Sequence, residues 1–529
     1  MNSRNFDDLK QLVGVFTSGE IATAKKFLVA FDSNVTKGKN KNQALLKLIL
    51  NRPAVTIAVA KKKISPEVDD RSFDRLVLRL REKLVESLLV EINTSKKEVY
   101  NKWLMTRFDI RKRYMQATIL MGRGMYDEAM RMAEKIIDRA KEFELYNELV
   151  ECLTWYQQEK GLRLGQQFFE NYDQDVALYK RCRAAVERSF DYYYRYFITE
   201  VDAKGLSSDK VGLLTEAISD LQAEFEYTQS ANVGRFLYTL LGTYYISMED
   251  YAASVATSMQ LIELTKSSPA IYSPNRIGMA YSDLADTELF RHNFSNAREF
   301  AVLAQEWLEN PVGYNRQMAR EIEFKALYYS GDLDGASAVI DSLCEDSQMN
   351  QAPFQLDKRT YLKACVLYMQ GNHRESFLLL NDCAEIENDK EGWNIGIRVL
   401  SIMNMVEVGK LDNADAKIEA LRKHLSRYAD VVRERDAIIL KILVQLVHSS
   451  FDFDLVFKSH APLLRTISQN ETGLRWEVKT PELVVFQDWF MAKKSGLPYS
   501  FKLPDSALAA MENPRKAKPI LAKRTNVPV

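Results

Sequence analysis

The chain contains few residues that could build a metal site or a nucleophilic catalytic site. Its five histidines are scattered, and none lies within metal-ligand spacing of another histidine or of a cysteine. The sequence has no Gly-x-x-x-x-Gly-Lys phosphate loop, no Gly-x-Ser-x-Gly elbow and no His-Glu-x-x-His zinc helix. Carboxylate pairs such as Glu321 with Glu323 fit the solvent-facing side of a helix. We therefore expect a protein that is not an enzyme, with no catalytic residues, no metal and no cofactor.

Charge is balanced over the whole chain but uneven along it. The 72 Lys and Arg residues equal the 72 Asp and Glu residues, yet residues 1–64 carry a net charge of +8. Such an asymmetry can mark a surface for nucleic acid. No recognised nucleic-acid-binding module accompanies it, so we favour solvated positions and keep nucleic-acid contact as an alternative. The basic surface comprises Lys37, Lys39, Lys41, Lys61, Lys62 and Lys63.

One short pattern recurs along the chain: a small residue, any residue, a bulky residue, two polar or small residues, then Ala or Ser. Clear copies begin at Gly124, Gly331, Gly371 and Gly409, and looser copies begin at Gly19, Glu249 and His292. From Tyr251 to Leu411, successive bulky residues are 43, 39, 40 and 38 positions apart. A period near 40 residues, in a chain poor in Gly and Pro, predicts stacked pairs of helices.

The residue types of this pattern suit a turn between two helices. Glycine can end one helix in the left-handed conformation that other residues adopt only at a cost. The bulky residue then packs at the turn, and the Ala or Ser three positions later allows two helices to approach closely. A single hairpin cannot bury its own apolar face, so neighbouring hairpins must stack.

The units that carry the pattern resemble the tetratricopeptide repeat (TPR), whose units are helix-turn-helix pairs. The best unit comprises Tyr238, Leu241, Gly242, Tyr245, Tyr251 and Ser254, and the next comprises Tyr281, Leu284, Ala285, Phe294, Ala297, Ala301, Ala304 and Pro311. No unit has the Trp of the first signature position, and the period exceeds the 34 residues of the family. The resemblance implies an all-α fold, a right-handed superhelical solenoid of helix-turn-helix (TPR-like) repeats with helical caps.

We divide the chain into four regions. Residues 1–110 form a basic N-terminal helical region or cap, and residues 111–430 form the TPR-like array. Residues 431–504 form C-terminal capping helices, and residues 505–529 form a basic, disordered tail, because five prolines follow Gly496.

Cysteine usage and hydropathy indicate the compartment. The five cysteines are odd in number and form no Cys-x-x-Cys pair, which favours reduced thiols. The first residues are polar and acidic, unlike a signal peptide, and no apolar stretch approaches the ~20 residues that span a bilayer. We expect a cytoplasmic protein without membrane contact.

The TPR resemblance further implies a peptide-binding groove lined by the first helix of each pair. Alignment on the turns places the following side chains in that groove: Phe236, Thr239, Thr243, Ser282, Asp286, Glu321, Lys325, Lys358, Tyr361 and Tyr368. Packing between repeats is the alternative role for each of them. The Lys-and-Asn clamp with which some family members hold a terminal carboxylate is not found.

An extended helical surface without catalytic motifs favours recognition of another protein. Our hypothesis is a non-enzymatic scaffold or adaptor that binds a peptide or partner domain. One alternative is a regulatory protein whose basic N-terminal region contacts nucleic acid while the repeats bind a protein or peptide. A further alternative is a structural subunit of a larger assembly.

Overall fold

All regular structure in the described part of this computed structural model is α-helical. The described residues are 3–30, 40–90, 102–202, 208–310, 313–345, 353–386, 389, 392–427, 432–468 and 474–503. The proposed tail, 505–529, lies outside them. The chain divides into two compact units, Met1–Arg139 and Ala140–Val529.

The first unit is built around one long helix. Its helices are α1 (Ser3–Val15), α2 (Ser18–Ala30), α3 (Lys41–Asn51), α4 (Ile57–Ile64), α5 (Asp70–Val90) and α6 (Lys102–Gly122), and α7 (Tyr126–Glu142) continues into the second unit. Helices α1, α2 and α3 all pack on α5. Phe6, Leu28, Leu45 and Phe73 form the centre of their shared apolar core.

The second unit is a series of helix pairs. Its helices are α8 (Tyr146–Leu164), α9 (Gln166–Asn171), α10 (Asp173–Asp202), α11 (Ser208–Thr228), α12 (Ala231–Ser247), α13 (Tyr251–Ser267), α14 (Pro274–Phe290), α15 (Phe294–Trp307), α16 (Tyr314–Ser330), α17 (Leu333–Glu345), α18 (Pro353–Met369), α19 (His373–Asp382), α20 (Trp393–Glu407), α21 (Leu411–Arg427), α22 (Glu434–His448), α23 (Phe453–Thr466) and α24 (Phe486–Ser495).

From α12 to α23, consecutive helices pack against one another as successive hairpins. We call the first helix of each hairpin (α12, α14, α16, α18, α20 and α22) an A helix. Neighbouring A helices also make direct contacts, between α14 and α16 and between α18 and α20, and α12 packs on α10. The chain is therefore an all-α, TPR-like helical-repeat protein, and that prediction is confirmed.

The repeated pattern does what its residue types predict. Gly124, Gly331, Gly371 and Gly409 have φ of 77°, 86°, 80° and 74°, the left-handed region. The bulky residue that follows each glycine begins the next helix, α7, α17, α19 or α21. Six of the Ala or Ser residues of the pattern are completely buried where the helices approach: Ala129, Ser254, Ala297, Ala336, Ser376 and Ala414.

The copy assigned at Gly19 is wrong, because Gly19 lies inside α2 rather than at a turn. A capping box formed by Thr17 and Glu20 fixes the start of this helix. The Thr17 N–H donates to the Glu20 carboxylate at 2.7 Å, and the Glu20 N–H donates to the Thr17 hydroxyl at 3.3 Å. The Thr-x-x-Glu signal therefore outweighs the Gly-x-bulky pattern here.

Candidate functional site

A later part of the same chain packs on the A helices and covers part of their surface. Residues 474–503, which we call the C-terminal segment, consist of an irregular stretch up to Val485, helix α24 and a second irregular stretch. The segment shares one apolar core with α16, α18, α20 and α22. Six of its large side chains are at most 1% exposed: Trp476, Leu483, Val485, Phe486, Trp489 and Phe490.

Two tyrosines of the A helices bind the backbone of this segment. The Tyr361 hydroxyl donates to the Pro481 carbonyl at 2.5 Å, and the Tyr328 hydroxyl donates to the Leu483 carbonyl at 3.5 Å. Burial raises the pKa of both phenols well above the usual value, which keeps each a hydrogen-bond donor. At Gly396 an added Cβ would lie 2.9 Å from the Pro481 carbonyl oxygen. Glycine therefore allows the segment to approach α20 this closely.

Two turns hold the start of the segment. The Arg475 guanidinium pairs with the Glu249 carboxylate at 2.5 Å, and the Trp476 ring stacks on His292 with centroids 6.0 Å apart. Glu249 and His292 have φ of 60° and 59°, in the turn position that glycine occupies elsewhere. A side chain in that conformation costs about 1–2 kcal/mol. Contact with the C-terminal segment gives a physical reason for side chains at these two turns.

A buried arginine fixes the middle of the segment. The Arg435 guanidinium, which is 0% exposed, donates to the carbonyls of Ile467 and Leu474, to Gln487 Oε1 and to both carboxylate oxygens of Glu482, at 2.6 and 2.8 Å. Burial alone would raise the pKa of Glu482. The charge and hydrogen bonds of Arg435, with the charge of Arg433, instead hold that pKa below its usual value.

The apolar side chains of the segment belong to the core of the fold. Burial of one large apolar side chain contributes about 1.5–3 kcal/mol, before the cost of ordering the segment is counted. Residues beneath the segment are therefore occupied by contacts within the chain.

Five of the groove residues from the sequence analysis lie in packed positions. Tyr361 and Tyr368 are buried, and their rings lie near those of Trp393 and Tyr499 respectively. The Lys358 ammonium pairs with the Glu321 carboxylate at 2.6 Å, with both side chains buried. Phe236 is 1% exposed and packs on the rings of Phe190 and Tyr193 in α10, with centroids 4.7 and 5.4 Å away.

The other five groove residues, Thr239, Thr243, Ser282, Asp286 and Lys325, are half-buried on α12, α14 and α16. Around four of them we define an open face by its accessible side chains. It comprises Phe190 and Tyr194 of α10, Arg235, Thr239 and Thr243 of α12, and Arg276, Met279, Ser282, Asp283 and Asp286 of α14. Helical spacing puts the α12 set at i, i+4 and i+8. Glu144, in the turn between α7 and α8, positions the start of α12, because its carboxylate accepts hydrogen bonds from the N–H groups of Ala231 and Asn232 at 2.7 and 3.0 Å.

Charged groups of the open face have shifted pKa values. Protein atoms surround the Asp283 carboxyl although water reaches it, and this desolvation, with the charge of Asp286, raises the pKa of Asp283 to about 7. Desolvation also lowers the pKa of Arg235 to about 10, with a smaller contribution from the charge of Arg276. The sequence analysis missed Arg235, Arg276 and Asp283. The signal for Arg276 and Asp283 was the stripe at 276, 279, 283 and 286, which follows helical spacing along α14, and the signal for Arg235 was its position four residues before Thr239 on α12.

Replacing Asp283 with asparagine is expected to stabilise the protein increasingly from pH 4 to pH 7. The folded state binds the Asp283 proton more tightly than the unfolded state, whose carboxyl has the usual value of 3.8, so stability falls as pH rises through this window. Asparagine removes that loss. Solvent screening limits the gain to about 1 kcal/mol above pH 7. Urea unfolding at pH 4.5, 6 and 8 measures it. Ser282→Asn, on the same face, should show no such trend, and an equal trend in both variants would contradict the assignment.

Two lysines of the basic surface have acidic partners. The Lys41 ammonium lies 2.6 Å from the Glu67 carboxylate, and the Lys61 ammonium lies 2.5 Å from that of Asp70. Lys62 and Lys63 are exposed at the end of α4. Lys37 and Lys39 lie outside the described residues.

Comparisons with known proteins add little to these observations. No protein-family model matches the chain, and no curated protein matches it. Among solved structures, a Rap protein in complex with competence and sporulation factor is similar over 64% of this chain and 89% of that chain, at 13% sequence identity and a TM-score of 0.41.

Within the part of the chain that the structure describes, no helix has both the length and the apolar character of a membrane span. No group of three or more His, Cys, Asp or Glu side chains there is arranged to hold a metal ion.

Proposed function

We propose that this protein is a non-enzymatic scaffold or adaptor that binds a segment of a partner protein on its open face. One observation carries the proposal. The A helices already bind an irregular polypeptide, their own C-terminal segment, through tyrosine hydroxyls that donate to backbone carbonyls and through the edge-to-face contact of Tyr329 with Trp476. These are the contacts by which proteins recognise extended peptides.

The open face continues this surface beyond the C-terminal segment. Burial raises the pKa of Asp286, and the charge of Lys479 in the segment is near enough to offset part of that rise. Beyond that border lie accessible aromatic rings, threonine hydroxyls and charges of both signs. Tyr194 is 56% exposed and Met279 is 44% exposed, and side chains of this kind anchor protein partners.

The cysteines support a reducing compartment for this activity. All five are free thiols in the structure. Burial raises the pKa of Cys152 and of Cys383 to about 12, which makes these thiols unreactive at neutral pH. We place the protein in the cytoplasm on this basis.

A pair of arginine substitutions tests the proposal. Thr239→Arg puts a long charged side chain in the middle of the open face, and Met259→Arg puts the same side chain on α13, at an exposed position outside the open face. Each variant is purified from its native cell with nuclease treatment, and its partners are identified by mass spectrometry. A stoichiometric protein partner should be retained by Met259→Arg and reduced at least about tenfold by Thr239→Arg, the effect of losing 1.4 kcal/mol of binding free energy.

Two outcomes would contradict the proposal. If both variants retain the same partners at wild-type levels, the open face is not the binding surface. If the partners disappear with nuclease treatment, nucleic acid carries the association, and the basic N-terminal surface becomes the better candidate. In that case binding should also weaken steeply with added salt.

A further inference from the structure

Four charged side chains of the open face form no ion pair within the described part of the chain: Arg235, Arg276, Asp283 and Asp286. Elsewhere in the array, the half-buried Arg433 has a close carboxylate partner, Asp436, at 2.5 Å. Arg235 Nε is inaccessible to water and has no hydrogen-bond partner. The Arg235 guanidinium instead lies over the Phe236 ring, 3.9 Å from its centroid. The guanidinium therefore has a ring contact but no carboxylate partner among the described residues.

The two arginines are placed to receive an anionic group. They are close enough for the charge of one to disfavour the charge of the other, and no carboxylate pairs with either. Arg276 donates one hydrogen bond, to the Ile271 carbonyl at 2.9 Å, which leaves its other guanidinium donors available. A carboxylate between two guanidinium groups forms charge-assisted hydrogen bonds, which are the stronger kind.

The two carboxylates are placed to receive a cationic group. The charges of Lys325, Lys358 and Lys479 offset part of the upward pKa shift that burial gives Asp286, and no cation among the described residues forms an ion pair with Asp283 or Asp286. An ammonium or guanidinium group would favour the ionised form of both. The same carboxylates disfavour a nucleic-acid backbone, whose phosphates they would repel.

The spacing of the charges along α14 sets the size of the ligand. Arg276 and Asp283 are seven residues apart, about 10 Å at 1.5 Å per residue, and Asp286 lies about 15 Å from Arg276. An extended polypeptide advances about 3.3 Å per residue, so these distances correspond to three to five of its residues. Only a chain-like ligand spans them. Exposed Phe190 and Tyr194, which stack with centroids 6.3 Å apart, add an apolar contact near Arg235.

We propose that the open face selects an extended partner segment with an acidic side chain over Arg235 and Arg276 and a basic side chain three to five residues away, over Asp283 and Asp286. This inference rests on the proposed function. It adds the charge order and the charge spacing of the bound segment.

A random library of displayed 12-residue peptides tests the inference on the purified full-length chain. Enriched peptides should carry one acidic and one basic residue three to five positions apart. Their affinities are then measured by fluorescence anisotropy. Arg276→Glu and Asp283→Lys should each weaken binding about tenfold or more. The double variant should restore binding, to within about threefold, for the same peptide with its acidic and basic residues exchanged. Arg298→Glu, at an exposed position of α15, should bind as the wild type does.

The possible results separate the charge-pattern inference from the proposed function. Thermal unfolding first establishes that the variants fold, and the exchanged-charge peptide keeps the test valid because it requires a gain of binding. Enriched peptides without the charge pattern, or an exchanged peptide that the double variant does not recover, would overturn this inference and leave the proposed function standing. If no peptide is enriched on the wild type, the inference fails as well. A partner that is insensitive to Thr239→Arg would then remove the proposed function too.

Discussion

Replacing Arg435 with methionine is expected to lower the free energy of unfolding by about 3–5 kcal/mol. The substitution leaves the Glu482 carboxylate buried without its guanidinium partner, and it also removes hydrogen bonds to the carbonyls of Ile467 and Leu474. An uncompensated buried charge is among the most destabilising changes in a core. Denaturant unfolding followed by circular dichroism measures the effect.

A surface ion pair supplies the matched control. Arg422 pairs with Glu419 at 2.7 Å in α21, but both side chains are exposed. Arg422→Met should therefore change stability by about 0.5 kcal/mol or less. The double substitution Arg435→Met with Glu482→Leu should recover part of the loss, because it removes both charges together. Equal effects at Arg435 and Arg422 would show that the buried pair does not hold the C-terminal segment.

Replacing Trp476 with alanine is expected to cost a similar amount, about 3–5 kcal/mol. The ring is 1% exposed and packs among His292, Tyr329 and Phe501, and its indole N–H donates to the Glu482 carbonyl at 2.8 Å. The truncation leaves a cavity where three parts of the chain meet. The start of the C-terminal segment should loosen, and limited proteolysis should then cleave within residues 474–485, at sites protected in the wild type.

Trp307→Ala serves as the comparison for this prediction. Trp307 is half-buried at the end of α15, where the Lys266 ammonium lies 5.8 Å from its ring centroid. Its loss should cost less, and it should leave residues 474–485 protected from protease. Cleavage of that stretch in both variants would mean that general loosening, rather than loss of the Trp476 contacts, exposes the segment.

The fold was predictable where the signal is local. A turn glycine, a bulky residue and a small residue lie within six positions of one another, and each has one physical task at one hairpin. The same pattern failed at Gly19, where the shorter Thr17–Glu20 capping box determined the helix start. At the repeat turns and at Gly19 alike, contacts between residues a few positions apart determine where a helix begins or ends. Such boundaries can therefore be predicted from sequence.

The C-terminal segment could not be predicted in the same way. Its irregular stretch has no helical period, and its partners are distant in sequence, with 120 residues between Tyr361 and Pro481. One indirect signal did exist. Glu249 and His292 stand where the repeat favours glycine, and a side chain that accepts left-handed strain indicates a contact worth more than the strain.

The candidate site falls between these two cases. Alignment on the turns selected side chains on α12, α14, α16 and α18, since the same kind of turn follows each of these A helices. It could not show that the C-terminal segment covers Tyr361, because that depends on contacts far along the chain. It also selected Asp286 but not Asp283. The alignment used only the position of a residue relative to the turn, whereas the open face is defined by which side chains are accessible.

The order in which the chain is made has a consequence for the turns at Glu249 and His292. A pure repeat array can fold as it leaves the ribosome, since each unit needs only its neighbours. Here the arginine that pairs with Glu249 is 226 residues further along the chain. At about 5–20 residues per second, it emerges roughly 10–45 s later. Once α16 and α18 have emerged, their rings stay uncovered until the C-terminal segment follows, so the nascent chain exposes an apolar surface of the kind that chaperones bind.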